Sequence, residues 1–364
     1  MRLLFVGTSR GARGTETHLV SLARAMARAG HEVSAVAHPE GYVARELREG
    51  GLPVEPGIFR NAVDPRGVRA VLRAVRRFHP DWMVGSFGHE YWPLLALGRS
   101  TGVRVALFRH INAPLKPASR VFLPRLAHRF IAVSESMRSL LVSQGVPPER
   151  VQLLYNPLDL GHFRPDPGLR TETRAALGLS DEDVVVGFVG PLDAGKGAWR
   201  LVEALNQAMP AYARLRALWV GPESAHARLR ELVSPELRER HLLRGWTSDV
   251  RPFYAAMDGL AVPSEILESF GRVSIEAQAL EVPVLANRIG GLPETLEAGT
   301  TGWLLPPGNV AAWRDALLDF ARLPPERRRE MGQAGRRFVS ERFDLPLIAR
   351  KFAGLLEPRL LGPA

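Results

Sequence analysis

Glu268 and Glu276 stand eight residues apart in Pro263-Ser-Glu-Ile-Leu-Glu-Ser-Phe-Gly-Arg-Val-Ser-Ile-Glu276, behind an apolar run at 259–262. Gly271 between them reads as the turn that opens a helix, whose first N–H groups lack intrahelical acceptors and therefore favour an anion. Glu268 lies just before that helix start and Glu276 a turn and a half inside it, so the carboxylates are too far apart for a close acid/base pair. Each is placed to bind different hydroxyls. A second glycine turn, Gly190-Pro-Leu-Asp-Ala-Gly-Lys-Gly197, follows the apolar run 184–189 and carries Lys196, one of three lysines (with Lys116 and Lys351) among 48 basic residues. An ammonium between glycines at a helix start neutralises a phosphate; an exposed turn lysine has the same sequence. A third turn, Gly7-Thr-Ser-Arg-Gly-Ala-Arg-Gly-Thr-Glu16, leads into a helix from about Thr15 and serves either anion binding or tight packing.

Three local matches point elsewhere and are set aside on physical grounds. Gly7-Thr-Ser-Arg-Gly11 has the spacing of a hydrolase nucleophile elbow, but only one strand precedes it where that fold needs several. Glycines 7, 11 and 14 miss the dinucleotide spacing, and no acidic residue ends the strand at 32–37 to grip a ribose. Asp181-Glu-Asp183 resembles an acid-x-acid metal motif but sits in a turn before a strand, where acidic residues solvate the loop or cap the strand entry. The ten histidines lack zinc-site spacing, so no metal is expected.

The elements that must position these turns are strands alternating with amphipathic helices, the pattern of a parallel sheet wrapped by helices. Strands are predicted at 2–6, 32–37, 82–86, 103–108, 130–133 and 151–155, then at 184–189, 217–220, 241–244, 259–262 and 282–286, with helices from about Val310 onward. Between the two runs, the Pro- and Gly-rich stretch Asn156 to Gly168 carries no periodicity and reads as a linker. The expectation is an α/β chain of two Rossmann-like doubly wound domains facing a cleft, with ligands at the carboxyl ends of the strands. The predicted divisions are 1–165, 166–345 and a terminal helical segment 346–364 packing back on the first domain.

At 364 residues the chain exceeds one ordinary domain, and with no cysteine it has neither disulfides nor thiolate chemistry. No apolar run approaches the ~20 residues of a membrane span, and 1–6 is too short for a signal segment. A cytoplasmic location is expected. The net charge of +10 is confined to one half: residues 1–165 hold 23 basic and 12 acidic side chains, residues 166–364 hold 25 and 26. In the helix predicted at 65–78, Arg66, Arg69, Arg73, Arg76 and Arg77 fall on one arc and apolar residues oppose them. With Lys116, Arg120, Arg125 and Arg129 they form a candidate acceptor or anionic membrane contact, peripheral and electrostatic. Solvated arginine faces are the other reading, and no nucleic-acid motif accompanies the charge.

Taken in order, the motifs resemble glycosyltransferase family 4, retaining enzymes of the GT-B fold, over nearly the whole chain. They are Gly14-Thr-Glu16, Ala132-Val-Ser-Glu-Ser136, Asn156-Pro-Leu-Asp159, Phe188-Val-Gly190, Lys196-Gly197, Asp249, Val262-Pro-Ser264, Glu268 to Glu276, Pro283-Val284, Gly290-Gly-Leu-Pro-Glu294 and Gly302-Trp-Leu-Leu-Pro306. The resemblance implies a metal-independent transferase that needs no cofactor and moves a sugar from a nucleotide-diphosphate sugar to a glycan or glycolipid acceptor in cell-envelope synthesis. Its donor would lie mainly on the second domain and its acceptor on the first, with the protein peripheral on the inner membrane face. It implies that Lys196 and Gly190 meet the diphosphate, that Glu268 meets sugar hydroxyls, and that the backbone of Ser269, Phe270, Gly271, Arg272 and Val273 meets phosphate oxygens. Glu276 would take the ribose, Trp246 the base, and Gly14 and Thr15 the phosphates and sugar. His110 resembles the family histidine beside the transferred sugar. Two departures stand out: Pro191 occupies the place of a family arginine, and Arg13 that of a family glycine, so Arg13 or Arg272 is expected to supply the missing phosphate charge. A nucleotide-sugar-binding protein without turnover, an epimerase and an inverting enzyme are alternatives on the same architecture.

Overall fold

The computed structural model describes residues 1–357, which form two compact units, Met1–Asp159 with the chain from Phe343 onward, and Leu160–Arg342. The first contains seven strands: β1 (Arg2–Gly7), β2 (Glu32–Ala37), β3 (Val54–Pro56), β4 (Trp82–Gly85), β5 (Arg104–Arg109), β6 (Arg129–Ala132) and β7 (Val151–Leu153). The second contains six: β8 (Val184–Val189), β9 (Leu215–Val220), β10 (His241–Arg244), β11 (Gly259–Val262), β12 (Val284–Asn287) and β13 (Gly302–Leu305). All pair in parallel, in the orders β3-β2-β1-β4-β5-β6-β7 and β10-β9-β8-β11-β12-β13. In both sheets the order reverses beside the first strand, so the β1/β4 and β8/β11 junctions are the switch points where doubly wound sheets open a crevice.

The sequence explains these elements directly. Buried on both faces, the central strands read as near-continuous apolar runs such as Leu3 to Val6 and Val184 to Val186. The helix Pro65–Phe78 starts at Asp64, whose carboxylate accepts the Arg66 N–H, with Pro65 at the first helical position. It buries Ala70, Val71, Ala74 and Val75 and exposes all five arginines of its stripe, of which Arg66 pairs with Asp64 and Arg73 with Glu55.

Four sequence expectations need correction. β3 is a three-residue edge strand, too short to show periodicity, and β13 is an edge strand that starts on Gly302 and runs into Pro306-Pro307-Gly308, so its surroundings read as turn. β12 begins at Val284 because Glu281 holds φ +61 and Val282 N–H bonds back to Ala277, making that stretch a turn. Arg129 is no surface cation: it is buried, donating to Leu355 and His128 carbonyls. It thereby ties β6 to the end of the helix Leu345–Leu356, whose Phe352 packs on Phe108.

Candidate functional site

Lys196 and Glu268 are brought together at the switch point of the second sheet. Lys196 leaves the turn after β8, and its N–H is accepted by Asp193 Oδ1 at 2.8 Å. Gly197 closes the turn at φ +74, where a Cβ would lie 1.8 Å from the Pro263 carbonyl oxygen, so the turn rests directly on the segment leaving β11. The Glu265 and Ile266 N–H groups donate to the Gly195 carbonyl at 2.9 and 3.2 Å, completing the seam. Across it Lys196 Nζ reaches Glu268 Oε1 at 2.6 Å, and Ser264 Oγ donates to the same oxygen at 2.5 Å. Both charged side chains keep some solvent contact, 30% and 15% exposed, which leaves a ligand room to approach.

The backbone beneath Glu268 is fixed from two sides. Gly291 N–H donates to the Glu268 carbonyl at 2.8 Å, and Gly290, at φ +57, passes so close that a Cβ would lie 2.3 Å from that oxygen. From below, the fully buried Asn287 donates to the Pro263 and Ser264 carbonyls at 2.9 and 3.0 Å and accepts from Trp313 Nε1 at 2.8 Å. Sequence reasoning leaves out Asn287 and Trp313 and includes Ser264 only within Val262-Pro-Ser264, with no role of its own; for Asn287 a polar residue ending the apolar strand β12 is the available signal.

Gly271 precedes the helix Arg272–Ala279, whose positive end therefore points to the place where the Glu268 segment arrives. Glu276, 8% exposed, is held by Arg272 Nε at 2.6 Å and by Tyr254 hydroxyl at 3.1 Å. Burial, then the Glu276 charge, pushes the Tyr254 hydroxyl well above its ordinary pKa, so it stays a donor. Arg272 is thus committed to Glu276 through Nε, while its buried Nη1 has no hydrogen-bond partner among the described residues. Phe270 is buried, Ser269 and Val273 half-buried, and Gly190 directly follows β8 with φ +141. Trp246 follows the edge strand β10, two strands from β8, with an indole 64% exposed.

In the first unit the turn after β1 exposes Arg13, and the helix Gly14–Arg28 that it opens exposes Gly14 and half-buries Thr15. It is pinned by Glu16, which accepts the Arg13 N–H at 3.1 Å and a hydrogen bond from Ser9 Oγ. His110 follows β5, stacked on Phe108 at 5.7 Å and edge-on to His18 at 4.6 Å. Burial, reinforced by the Arg109 charge, pushes it down to about 3, so it is neutral at ordinary pH. Its Nε2 has no partner among the described residues. Lys116 is exposed and Arg120 half-buried on the helix Pro117–Leu126 and its entry. Asp183 accepts from Ser180 N–H and Oγ and pairs with Arg216 at 3.1 Å, which accounts for it as a turn residue. Among the described residues no three His, Asp or Glu side chains gather closely enough to hold a metal, and no helix is long and apolar enough to cross a membrane.

Two family models match the chain in succession: one described as Glycosyltransferase Family 4 over residues 12–162, and one described as Glycosyl transferases group 1 over residues 183–322. The D-inositol 3-phosphate glycosyltransferase of Segniliparus rotundus is 34% identical over 195 residues, 52% of this chain and 42% of that protein. Its namesake from Streptomyces scabiei is 32% identical over 266 residues, 67% of this chain and 59% of that protein. The chain thus spans about half the length of these curated relatives, between 42% and 59%. The crystal structure of Anabaena Alr3699/HepE in complex with UDP shares the fold, with a TM-score of 0.84 at 22% identity over 98% of this chain and 99% of that one.

Proposed function

The chain belongs to glycosyltransferase family 4 and has its GT-B fold, and from that premise we propose that it transfers a sugar, with retention and without a metal, from a nucleotide-diphosphate sugar to a glycan or glycolipid acceptor. The observation that carries the reading is the meeting of Lys196, Glu268 and Ser264 at the β8/β11 switch point, beside the N-terminus of the helix Arg272–Ala279.

Cleaving the glycosidic bond leaves negative charge on the diphosphate. A fixed ammonium and a helix N-terminus stabilise that charge most where it develops, and neither has to reorganise to do so. In this reading Lys196 exchanges part of its contact with Glu268 for the phosphate, and Glu268, steadied by Ser264, accepts sugar hydroxyls. Glu276, oriented by Tyr254 and Arg272, takes the ribose, and the exposed indole of Trp246 is available to a base. His110, neutral and with a free Nε2, offers hydrogen bonding at the sugar without adding charge. The acceptor attacks on the face that the diphosphate leaves, and a phosphate oxygen takes its proton, which agrees with the lack of a close carboxylate pair between Glu268 and Glu276. Arg69, Arg76 and Arg77, exposed and without an ion pair among the described residues, support an anionic glycolipid or membrane surface as the acceptor's setting, in cell-envelope synthesis on the inner face.

The test is a thermal-shift panel of UDP, GDP and ADP sugars, followed by transfer assays with any that bind. Binding with an α-to-α product supports the reading; a panel without any shift rejects it. A second reading, binding without turnover, draws on Pro191 in the place of the family arginine. It predicts a shift in the panel with no transfer or exchange of label from the bound sugar.

A further inference from the structure

We propose that Glu90 is a positioning residue for the turn after β1, locking Thr8 so that Arg13, Gly14 and Thr15 are presented in one geometry to the donor. The proposal rests on the transferase reading for the donor's identity, and on hydrogen bonds within the first unit alone for the lock. Glu90 follows β4, the strand paired with β1, so Thr8 and Glu90 leave neighbouring strands at the switch point of the first sheet. The carboxyl is completely buried and its Oε1 accepts both the Thr8 N–H and the Thr8 Oγ, each at 2.7 Å, across 82 residues of chain. His89 Nε2 adds a contact to Thr8 Oγ at 3.2 Å.

Holding an N–H and a hydroxyl does not require a carboxylate, and burying one without a cation is expensive. His89 lies 3.7 Å from Oε1, but burial lowers its pKa, so it brings no compensating charge. Burial, opposed by hydrogen bonds from Thr8, pushes Glu90 up to about 8, which makes it an uncharged acid at neutral pH. Such an acid is close to isosteric with glutamine. Glu16 already pins the far end of the turn through Ser9 and Arg13. Glu90 supplies the near end, and between the two anchors the exposed residues 13 and 14 have little freedom left. Preorganisation of this kind acts on ligand affinity, because ordering the turn at the moment of binding would consume interaction energy.

The test is amide hydrogen exchange on the full-length protein without ligand, together with kinetics using UDP-glucose as probe. Glu90→Ala is expected to accelerate exchange of residues 8–14 at least tenfold while β5 and β6 keep their protection, and to raise KM about tenfold with kcat changed less than threefold. Glu90→Gln is expected to restore both to within threefold of the parent. Thr8→Val, which deletes only the hydroxyl, is expected to accelerate the same amides alone and keeps the question open to measurement if Glu90→Ala does not fold. Unchanged exchange in Glu90→Ala, acceleration spread evenly through the unit, or a glutamine variant no better than alanine would overturn the lock. A parent protein that binds no nucleotide sugar rejects the transferase reading instead, and the exchange data then judge the lock by themselves.

Discussion

Lys196 Nζ and Glu268 Oε1 lie 2.6 Å apart although 72 residues separate them, because β8 and β11 are neighbours and each delivers one partner from its carboxyl end. Replacing Lys196 with alanine removes the ammonium that would meet charge developing on a diphosphate. Loss of one such preorganised group typically costs about 10²–10³ in rate. Lys196→Ala is therefore expected to lower kcat for transfer by that order, and Glu268→Gln to do so with a smaller change in nucleotide affinity. Initial rates and calorimetric titration with UDP separate the two effects; a Lys196→Ala enzyme within threefold of the parent would remove this lysine from the chemistry.

Gly290→Ala is expected to damage the site without touching any of its charged groups. The new methyl would lie 2.3 Å from the Glu268 carbonyl oxygen and 2.6 Å from its nitrogen, so the Glu268 backbone must move. Gly299 provides the control, since it too has a positive φ, +85, but nothing within 4 Å of an added Cβ. Both variants carry the left-handed backbone cost of about 1–2 kcal/mol, so both should melt a few degrees lower. Only Gly290→Ala should lose kcat/KM, by about tenfold or more. Equal activity in the two variants would mean that the position of Glu268 is not critical.

Glu276 is held by Tyr254 and Arg272 in a way that orients its carboxylate and occupies one edge of the guanidinium. If Glu276 takes ribose hydroxyls, Glu276→Gln should weaken UDP about tenfold and leave inorganic pyrophosphate unchanged. Arg272→Ala and Arg13→Ala report the opposite property. Whichever of them replaces the charge missing at Pro191 should weaken pyrophosphate and UDP alike when removed, by a comparable factor. Competition titrations with the two ligands measure this directly; if neither arginine variant affects pyrophosphate, Lys196 acts without a second cation.

The apolar runs of β8 and β11 announced themselves in the sequence because both faces of these strands are buried, and β2 and the edge strand β10 likewise begin and end where the pattern places them. β3, an edge strand of three residues, is too short for any period to emerge, and β13 is hidden between Gly302 and Pro306-Pro307-Gly308, residues that read as turn. The glycine turns with Lys196, Glu268 and Glu276 were legible because residue type and spacing alone define them. The partners that hold those groups were not. Asn287 and Trp313 act through a hydrogen bond spanning 26 residues, and Glu90 reaches Thr8 across 82; such pairings follow from strand order rather than local sequence. Arg129 was misread for the same reason, since an arginine that meets the end of a helix 226 residues later looks like any other basic residue in a basic half.

Acid should destabilise this protein through two histidines. His110 is pushed down to about 3 and His241 to about 4, each chiefly by burial and then by an adjacent arginine, from an unfolded value of 6.5. His241 accepts the Trp219 indole N–H at 3.1 Å on Nδ1, an interaction that requires that nitrogen to remain unprotonated. A group with a depressed folded pKa binds its proton first in the unfolded chain, so its contribution to stability is complete above 6.5 and falls as pH drops from 6.5 toward 4 and 3. Each histidine adds a slope of up to about 1.4 kcal/mol per pH unit within its window. In urea midpoints measured between pH 8 and pH 4.5 at constant ionic strength, the parent's decline below 6.5 is expected for the unit 160–342, whereas in the first unit Glu90, pushed up to about 8, gains stability over the same range and offsets His110. Relative to the parent, His110→Gln and His241→Asn should each gain stability as pH falls below 6.5 in the transition of their own unit, 1–159 with the chain from 343 for His110 and 160–342 for His241. Carboxylates common to parent and variant cancel in the comparison. A variant whose midpoint changes with pH as the parent's does would show that its histidine titrates normally and is not held neutral by the fold.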